Sequence, residues 1–301
     1  MTMRFSFSGH ETFPLRLHWL KKAVDLVKAD PLILNKDEAI AMFGVGKNMV
    51  RAIKHWGLTL EILEPHPQLQ ARGALTVSAL GEFLMGDEGV DPYCEDLATL
   101  WLLHWKLCES PYRATLWHYV FGYWRGGPLE LEPLAFVLER WLAERGGKLP
   151  SIGTLRRDLQ CLENTYLMSA HKEEIIGYSL EPLNLLQRVS GIVYLNEYGY
   201  KNLAPEIFAY AVLDYWDKHF SEMSTLPLYE VLAQPASPGK MFLLREEELF
   251  ELIEQIETFE DAPFRYDNTA GLQQLYRSSR CTAWDMLRRY YARFDVNKTI
   301  C

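Results

Sequence analysis

The sequence is poor in the residues that usually announce a function. Its five cysteines, Cys94, Cys108, Cys161, Cys281 and Cys301, show neither CxxC pairing nor framework spacing. That excludes a zinc finger of ordinary spacing and a disulfide-stapled secreted fold, so a reduced, cytoplasmic protein is expected. No apolar run approaches the roughly 20 residues that a membrane span requires, the longest being of the kind of "TLWLLHW". The opening "MTMRFSFSGHETF" lacks the charged and apolar regions of a signal peptide. There is no P-loop, GxGxxG, HExxH or GxSxG pattern. Positive charge is also scarce: 31 Lys and Arg stand against 40 Asp and Glu, a net charge of -9. Indiscriminate binding to nucleic acid is excluded by that balance, but a local basic patch is not.

What is present is material for a full interior. Of 301 residues, 49% are hydrophobic and 13% aromatic, enough to bury two or three cores. The expected fold is mainly α with small β elements. Residues 1–90 are read as an N-terminal winged helix–turn–helix, 91–165 as a helical middle domain and 166–301 as a C-terminal helical domain. Charge is unevenly spread over this frame. Residues 1–60 hold nine Lys and Arg against five Asp and Glu, whereas "LLREEELFELIEQIETFEDA" holds eight acids against one Arg. Arg277, Arg280, Arg288, Arg289 and Arg293 make the last stretch basic again.

Met3, Phe5 and Phe7 alternate with Arg4, Ser6 and Ser8, the period of a short strand. Gly9 breaks it, Thr12 is positioned as an N-cap, and Pro14 suits the start of a helix. That helix continues through "LRLHWLKKAVDLVK" with Leu20, Val24 and Val27 on one stripe.

The clearest segment is "NKDEAIAMFGVGKNMVRAIKHWGL". Asn35 is expected to cap a short helix, Gly44 and Gly46 to make a tight turn, and a second helix to follow from Lys47 to about Trp56. This is helix–turn–helix spacing. Met49, Ile53 and Trp56 recur at helical intervals as an inner face, and Lys47, Arg51 and Lys54 on the opposite side. With Asn48, those three form the candidate DNA-binding set. The next stretch, "LEILEPHPQLQARGALTVSALGEFLM", reads as two short strands around a turn, the wing, and then a helix. A solvated basic face on an ordinary helical hairpin is the alternative.

Further on, "DPYCEDLATLWLLHWKL" is apolar almost all round, as a buried helix is. "LPSIGTLRRDLQCLENTY" resembles the end of a second helix–turn–helix, the basis for a second winged-helix-like unit. Leu155, Leu159 and Leu162 face inward there, and Arg156, Arg157 and Gln160 outward. The remainder to 233 reads as helices and turns, and "LAQPASPGKMF" as a linker.

For chemistry, "SGHETF" sets His10 and Glu11 beside a glycine just upstream of the basic helix. His10 and Glu11 are the residues of an acid/base pair or of a metal site. The alternative is a capping turn with His10 packed on Trp19. Asp91, Glu95 and Asp96 precede His104, but Asp96 and His104, eight residues apart, are separated by more than about 10 Å along a helix axis. Glu11, Glu95 and Asp96 therefore make a metal set for Mg or Mn only if distant segments converge.

The segments "FSGHETFPLR", "GVGKNMVRAIKHWG", "DPYCEDLATLWLLHWKL", "SPGKMFLL" and "DNTAGLQQLYR" resemble, in order, one bacterial family over nearly the whole chain. It was long catalogued as a domain of unknown function and occurs in phage-defence clusters. It looks like the SspB family, the DNA-nicking component of single-strand DNA phosphorothioation systems. The resemblance implies a protein that binds double-stranded DNA and opens one strand for sulfur insertion. A divalent metal is implied for that activity. Implied partners are a cysteine desulfurase, an ATPase and an ATP-pyrophosphatase-type enzyme, with a homodimer as a further arrangement. A non-catalytic recognition or scaffold subunit and a winged-helix transcriptional regulator are the alternatives.

Overall fold

The computed structural model describes residues 4–69, 73–167, 179–199, 202–278 and 280–295. The fold is mainly helical with small antiparallel sheets, as the periodicities require. Packing divides it into two compact units. One gathers the chain up to Tyr119 with Arg125–Asn196, and the other gathers Val120–Trp124 with the chain from Glu197 onward.

The first unit begins with an extended segment rather than the expected strand. Phe5 and Phe7 alternate with polar residues, but no β partner lies alongside the described part, and Met3 falls outside it. Instead Ser6 N–H donates to Thr115 Oγ1 at 2.8 Å and Thr115 N–H donates to Ser6 O at 3.2 Å. Phe5 packs against Tyr112 and Trp141. Thr12 is not an N-cap: it has φ 73°, and α1 (His18–Ala29) starts after Leu17. Leu20, Val24 and Val27 are buried as the stripe predicts.

After α1, Asn35 ends a short 3-10 turn, and Asp37 precedes α2 (Glu38–Phe43). Asn35 instead uses its amide to donate to Gly73 O at 2.7 Å. Gly44, at φ 68°, closes α2 in the left-handed conformation that favours glycine. Gly46 then precedes α3 (Lys47–Thr59). Val50, Ala52, Ile53 and Trp56 form the buried face of α3, with Met49 only half-buried. A hairpin of β1 (Leu63–Pro65) and β2 (Leu75–Val77) follows, antiparallel, with Leu63 opposite Val77. Residues 70–72 of the loop read as a wing lie outside the described residues. Ser78 caps α4 (Ala79–Met85), accepting from Gly81 N–H at 2.9 Å. α1 packs on α3, α4 and β2.

The interior of this unit is supplied by α5 (Leu97–Cys108), buried from Ala98 to Cys108. α6 (Thr115–Tyr123) ends in the second unit. α7 (Leu131–Ala143) packs on α8 (Ile152–Tyr166). Residues 186–195 depart from the helical expectation, forming an antiparallel hairpin of β3 (Leu186–Val189) and β4 (Ile192–Leu195).

The second unit centres on α9 (Pro205–His219). It continues through β5 (Thr225–Pro227), α10 (Leu228–Leu232), α11 (Pro238–Met241), α12 (Glu246–Glu257), β6 (Phe264–Asp267), β7 (Gln274–Arg277) and α13 (Ala283–Asp295). β7 lies between β5 and β6, and α12 and α13 both pack on α9. The Pro/Gly stretch read as a linker is part of this core: Ser237, Met241 and Phe242 are fully buried. A Cβ on Gly239 would come within 2.7 Å of the Leu232 backbone.

Candidate nucleic-acid interface and its buried latch

The loop before α1 folds on itself through three non-glycine residues of positive φ: Ser8 at 59°, Glu11 at 50° and Thr12 at 73°. Such conformations persist only where surroundings hold them. Two successive tight turns do so, Glu11 N–H donating to Ser8 O at 3.1 Å and Phe13 N–H to His10 O at 2.8 Å. Trp56 Nε1–H donates to Phe13 O at 3.1 Å. Gly9 passes so close to α3 that a Cβ would stand 2.4 Å from the His55 ring.

His10 is the pin of this loop. It is 1% exposed and stacks on Trp56, with ring centroids 5.9 Å apart and planes at 14°. Thr12 N–H donates to its Nδ1 at 3.1 Å. A backbone amide can only donate, so Nδ1 accepts and the hydrogen sits on Nε2. That hydrogen points to Asp158 Oδ1, 3.1 Å away on α8. The Asp158 carboxylate, 1% exposed, also accepts from Ser8 N–H and Ser8 Oγ–H. A buried carboxylate is tolerable when its lone pairs are satisfied in this way. The pair has the form of an oriented base, yet both ring nitrogens are occupied and no solvent reaches them. His10 and Asp158 therefore work as a latch between the loop and α8.

Glu11 has the opposite situation. Its side chain is 36% exposed, and Oε1 lies 3.5 Å from Arg51 NH1. The loop thus buries the imidazole and shows the carboxylate to solvent, beside the front of α3. The basic front is present where the periodicity places it. Lys47 and Arg51 are exposed and Lys54 is half-buried. Each has an internal neighbour: Lys47 Nζ stands 3.4 Å from Asp37 Oδ1, and Lys54 Nζ donates to Asn35 Oδ1 at 2.6 Å. Arg51 also donates to Asn48 Oδ1 at 3.4 Å. Burial lowers the Lys54 pKa. Behind the face, burial and then the nearby His10 lower the His55 pKa to about 3, leaving it neutral.

Arg156 and Arg157 are exposed on α8, with Leu155, Leu159 and Leu162 buried beneath them. Arg157 NH2 donates to Thr154 Oγ1 at 3.3 Å. The residue that sequence reasoning missed on this helix is Asp158. No local pattern marks it, because its partners lie about 150 residues upstream.

The acids proposed for a metal do not converge. Among the described residues no three His, Cys, Asp or Glu side chains gather as a metal site. Asp96 accepts from Ala98 N–H at 2.7 Å and so caps α5. Glu95 and Asp96 donate their amides to Asp91 at 2.9 and 3.1 Å, fixing this turn as a helix start. His104 is fully buried, with Nδ1 2.7 Å from Tyr166 Oη. Glu11, Glu95 and Asp96 therefore do not fit a bound ion as a set. The described cysteines, Cys94, Cys108, Cys161 and Cys281, are free and buried. No described helix is long and apolar enough to cross a membrane.

Comparison with known proteins agrees with this architecture. No protein of curated function matches the chain. A crystal structure of SspB superposes with a TM-score of 0.82 at 27% identity, covering 95% of this chain and 88% of that one. A crystal structure of magnesium-bound SspB gives 0.83 at 26% identity, with the same coverage. The family model described as a protein of unknown function, DUF4007, matches residues 7–291, and the chain belongs to that family.

Proposed function

We propose that this protein is a DNA-binding component of a bacterial DNA phosphorothioation system and opens one strand of the duplex for sulfur insertion. The observation that carries this reading is the exposed front of α3, where Lys47 and Arg51 lie two positions either side of Met49 with Glu11 displayed beside them. Likeness to SspB along nearly the whole chain supports the setting. The order α1, α2, α3, β1, β2 supports reading residues 1–90 as a winged helix. Residues 1–90 would then read the duplex, with 91–165 supporting them and 166–301 offering surface to partners. Those partners are a cysteine desulfurase, an ATPase and an ATP-pyrophosphatase-type enzyme.

Glu11 is the group at hand for chemistry, since its carboxylate faces solvent where a backbone held by α3 would pass. His10 serves by holding the loop. Magnesium is bound by the related SspB structure, but no step is assigned to a metal because the acids described here do not converge.

Purified protein incubated with supercoiled plasmid, with Mg²⁺ or Mn²⁺ and then with EDTA, tests the reading. Conversion to open circle by the parent, abolished in Glu11→Ala without loss of DNA retention, is the expected result. A second reading is a recognition or scaffold subunit that does not cut, favoured by the sealing of His10 away from solvent. Sequence-specific retention with no nicked product under any metal condition would establish it. A transcriptional regulator would bind upstream of its own gene cluster.

A further inference from the structure

The β3–β4 hairpin ends in an exposed apolar tip that packing among the described residues does not cover. Its central residues, Ser190 and Gly191, have φ of 51° and 86°, as a two-residue hairpin turn demands. Val189 and Ile192 face one another directly across that turn and remain 52% and 38% exposed. The base of the hairpin is held firmly. Leu129 N–H donates to Val193 O at 2.8 Å, and Asn196 N–H to Leu185 O at 2.9 Å. Tyr194 bridges Pro128. The tip therefore projects from a fixed base.

A polar stripe leads to it. On α8, Arg156, Gln160 and Glu163 recur at i, i+4 and i+7 and so share one side of the helix. Arg188, the residue before Val189, donates to Glu163 Oε2 at 3.1 Å and joins that stripe to the hairpin. Arg156 and Arg157 are exposed, and neither pairs with a carboxylate among the described residues. The cations of α3 differ, since Asp37 and Glu11 stand beside Lys47 and Arg51. Two cations without carboxylate partners on α8, and an aliphatic pair on the hairpin tied to that helix, complement a polyanion that also has stacked apolar surfaces to part. Duplex DNA has both, and an aliphatic side chain inserted at a base step is a known way to kink it.

We propose that α8 and the β3–β4 hairpin form a second duplex contact. Arg156 and Arg157 meet phosphates there, and Ile192, backed by Val189, wedges between base pairs from the minor groove. This rests on the DNA-binding reading above, and it predicts a deformation that α3 alone would not produce.

The test uses the full chain and short duplexes carrying 2-aminopurine at successive positions, whose fluorescence rises when a base unstacks. Retention of the same duplexes on a filter is measured in parallel. The parent protein raises the fluorescence at one step. In the Val189→Ser/Ile192→Ser double variant the rise is lost and affinity falls about tenfold, from the apolar area no longer buried. These tip residues are exposed, so the thermal midpoint is unchanged. Arg156→Ala/Arg157→Ala keeps the rise at saturation but lowers the salt slope by about one to two. A rise that persists in the tip variant overturns the proposal and assigns the tip to a protein partner. Retention by the parent without any rise overturns the wedge alone, and absence of retention at low salt overturns the DNA-binding reading together with it.

Discussion

His10 Nε2 and Asp158 Oδ1 meet at 3.1 Å across 148 positions of sequence, both side chains 2% exposed. This contact fixes the loop that shows Glu11 to solvent, so the display of one residue depends on the burial of its neighbour.

Removing the acceptor tests that dependence. Asp158→Ala leaves the buried His10 donor and the half-buried Ser8 donors without their partner, which costs about 3 kcal/mol. The thermal midpoint of the first unit should fall by roughly 6–12 °C for that loss. An unchanged midpoint would show that the loop is held by other contacts.

Acid sensitivity follows from His55. Its pKa is lowered to about 3 in the fold against an ordinary 6.5, so between those values the unfolded chain binds a proton that the folded one refuses. Stability is therefore greatest above pH 6.5 and declines toward pH 3, by at most about 1.4 kcal/mol per pH unit from this group. Urea midpoints at pH 7 and pH 5 should differ accordingly, and His55→Asn should narrow the difference.

The close passage at Gly9 gives a third expectation. In Gly9→Ala the new methyl group meets the His55 ring at 2.4 Å, a crowding that costs about 1–3 kcal/mol. The double variant Gly9→Ala/His55→Ala should recover part of that loss, which denaturant titration of the four proteins reads directly.

Glu11 moderates the charge of the face it borders. Glu11→Gln removes the carboxylate from beside Arg51, and retention of duplex at low salt should rise about two- to fivefold. Nicking should fall in the same variant. Unchanged retention would place Glu11 outside the interface.

The α3 face was legible in the sequence because helical periodicity is local: Ile53 and Trp56 are fully buried, and Lys47 and Arg51 are exposed. The whole of α5 was legible through its nearly unbroken apolar run, and it is buried from Ala98 to Cys108. The start of the chain was not, since alternation at Phe5 and Phe7 reports two-sided packing and not a strand partner, and here the partner is Thr115. Proximity in sequence sets His10 against Trp19, whereas Trp56 and Asp158 hold it through the fold. The β3–β4 hairpin had a usable signal in "RVSGIVYL", a Ser-Gly pair between alternating apolar residues. Reading 232–242 as a linker followed its prolines and glycine, which here permit close packing around Gly239.

The salt dependence of duplex retention tests the central claim most directly. Lys47→Ala/Arg51→Ala/Lys54→Ala should lower the slope of log affinity against log salt by about two to three relative to the parent. The thermal midpoint should stay the same, because Lys47 and Arg51 are exposed and Lys54 only half-buried. A slope equal to that of the parent would mean that DNA does not meet α3, and would contradict the account.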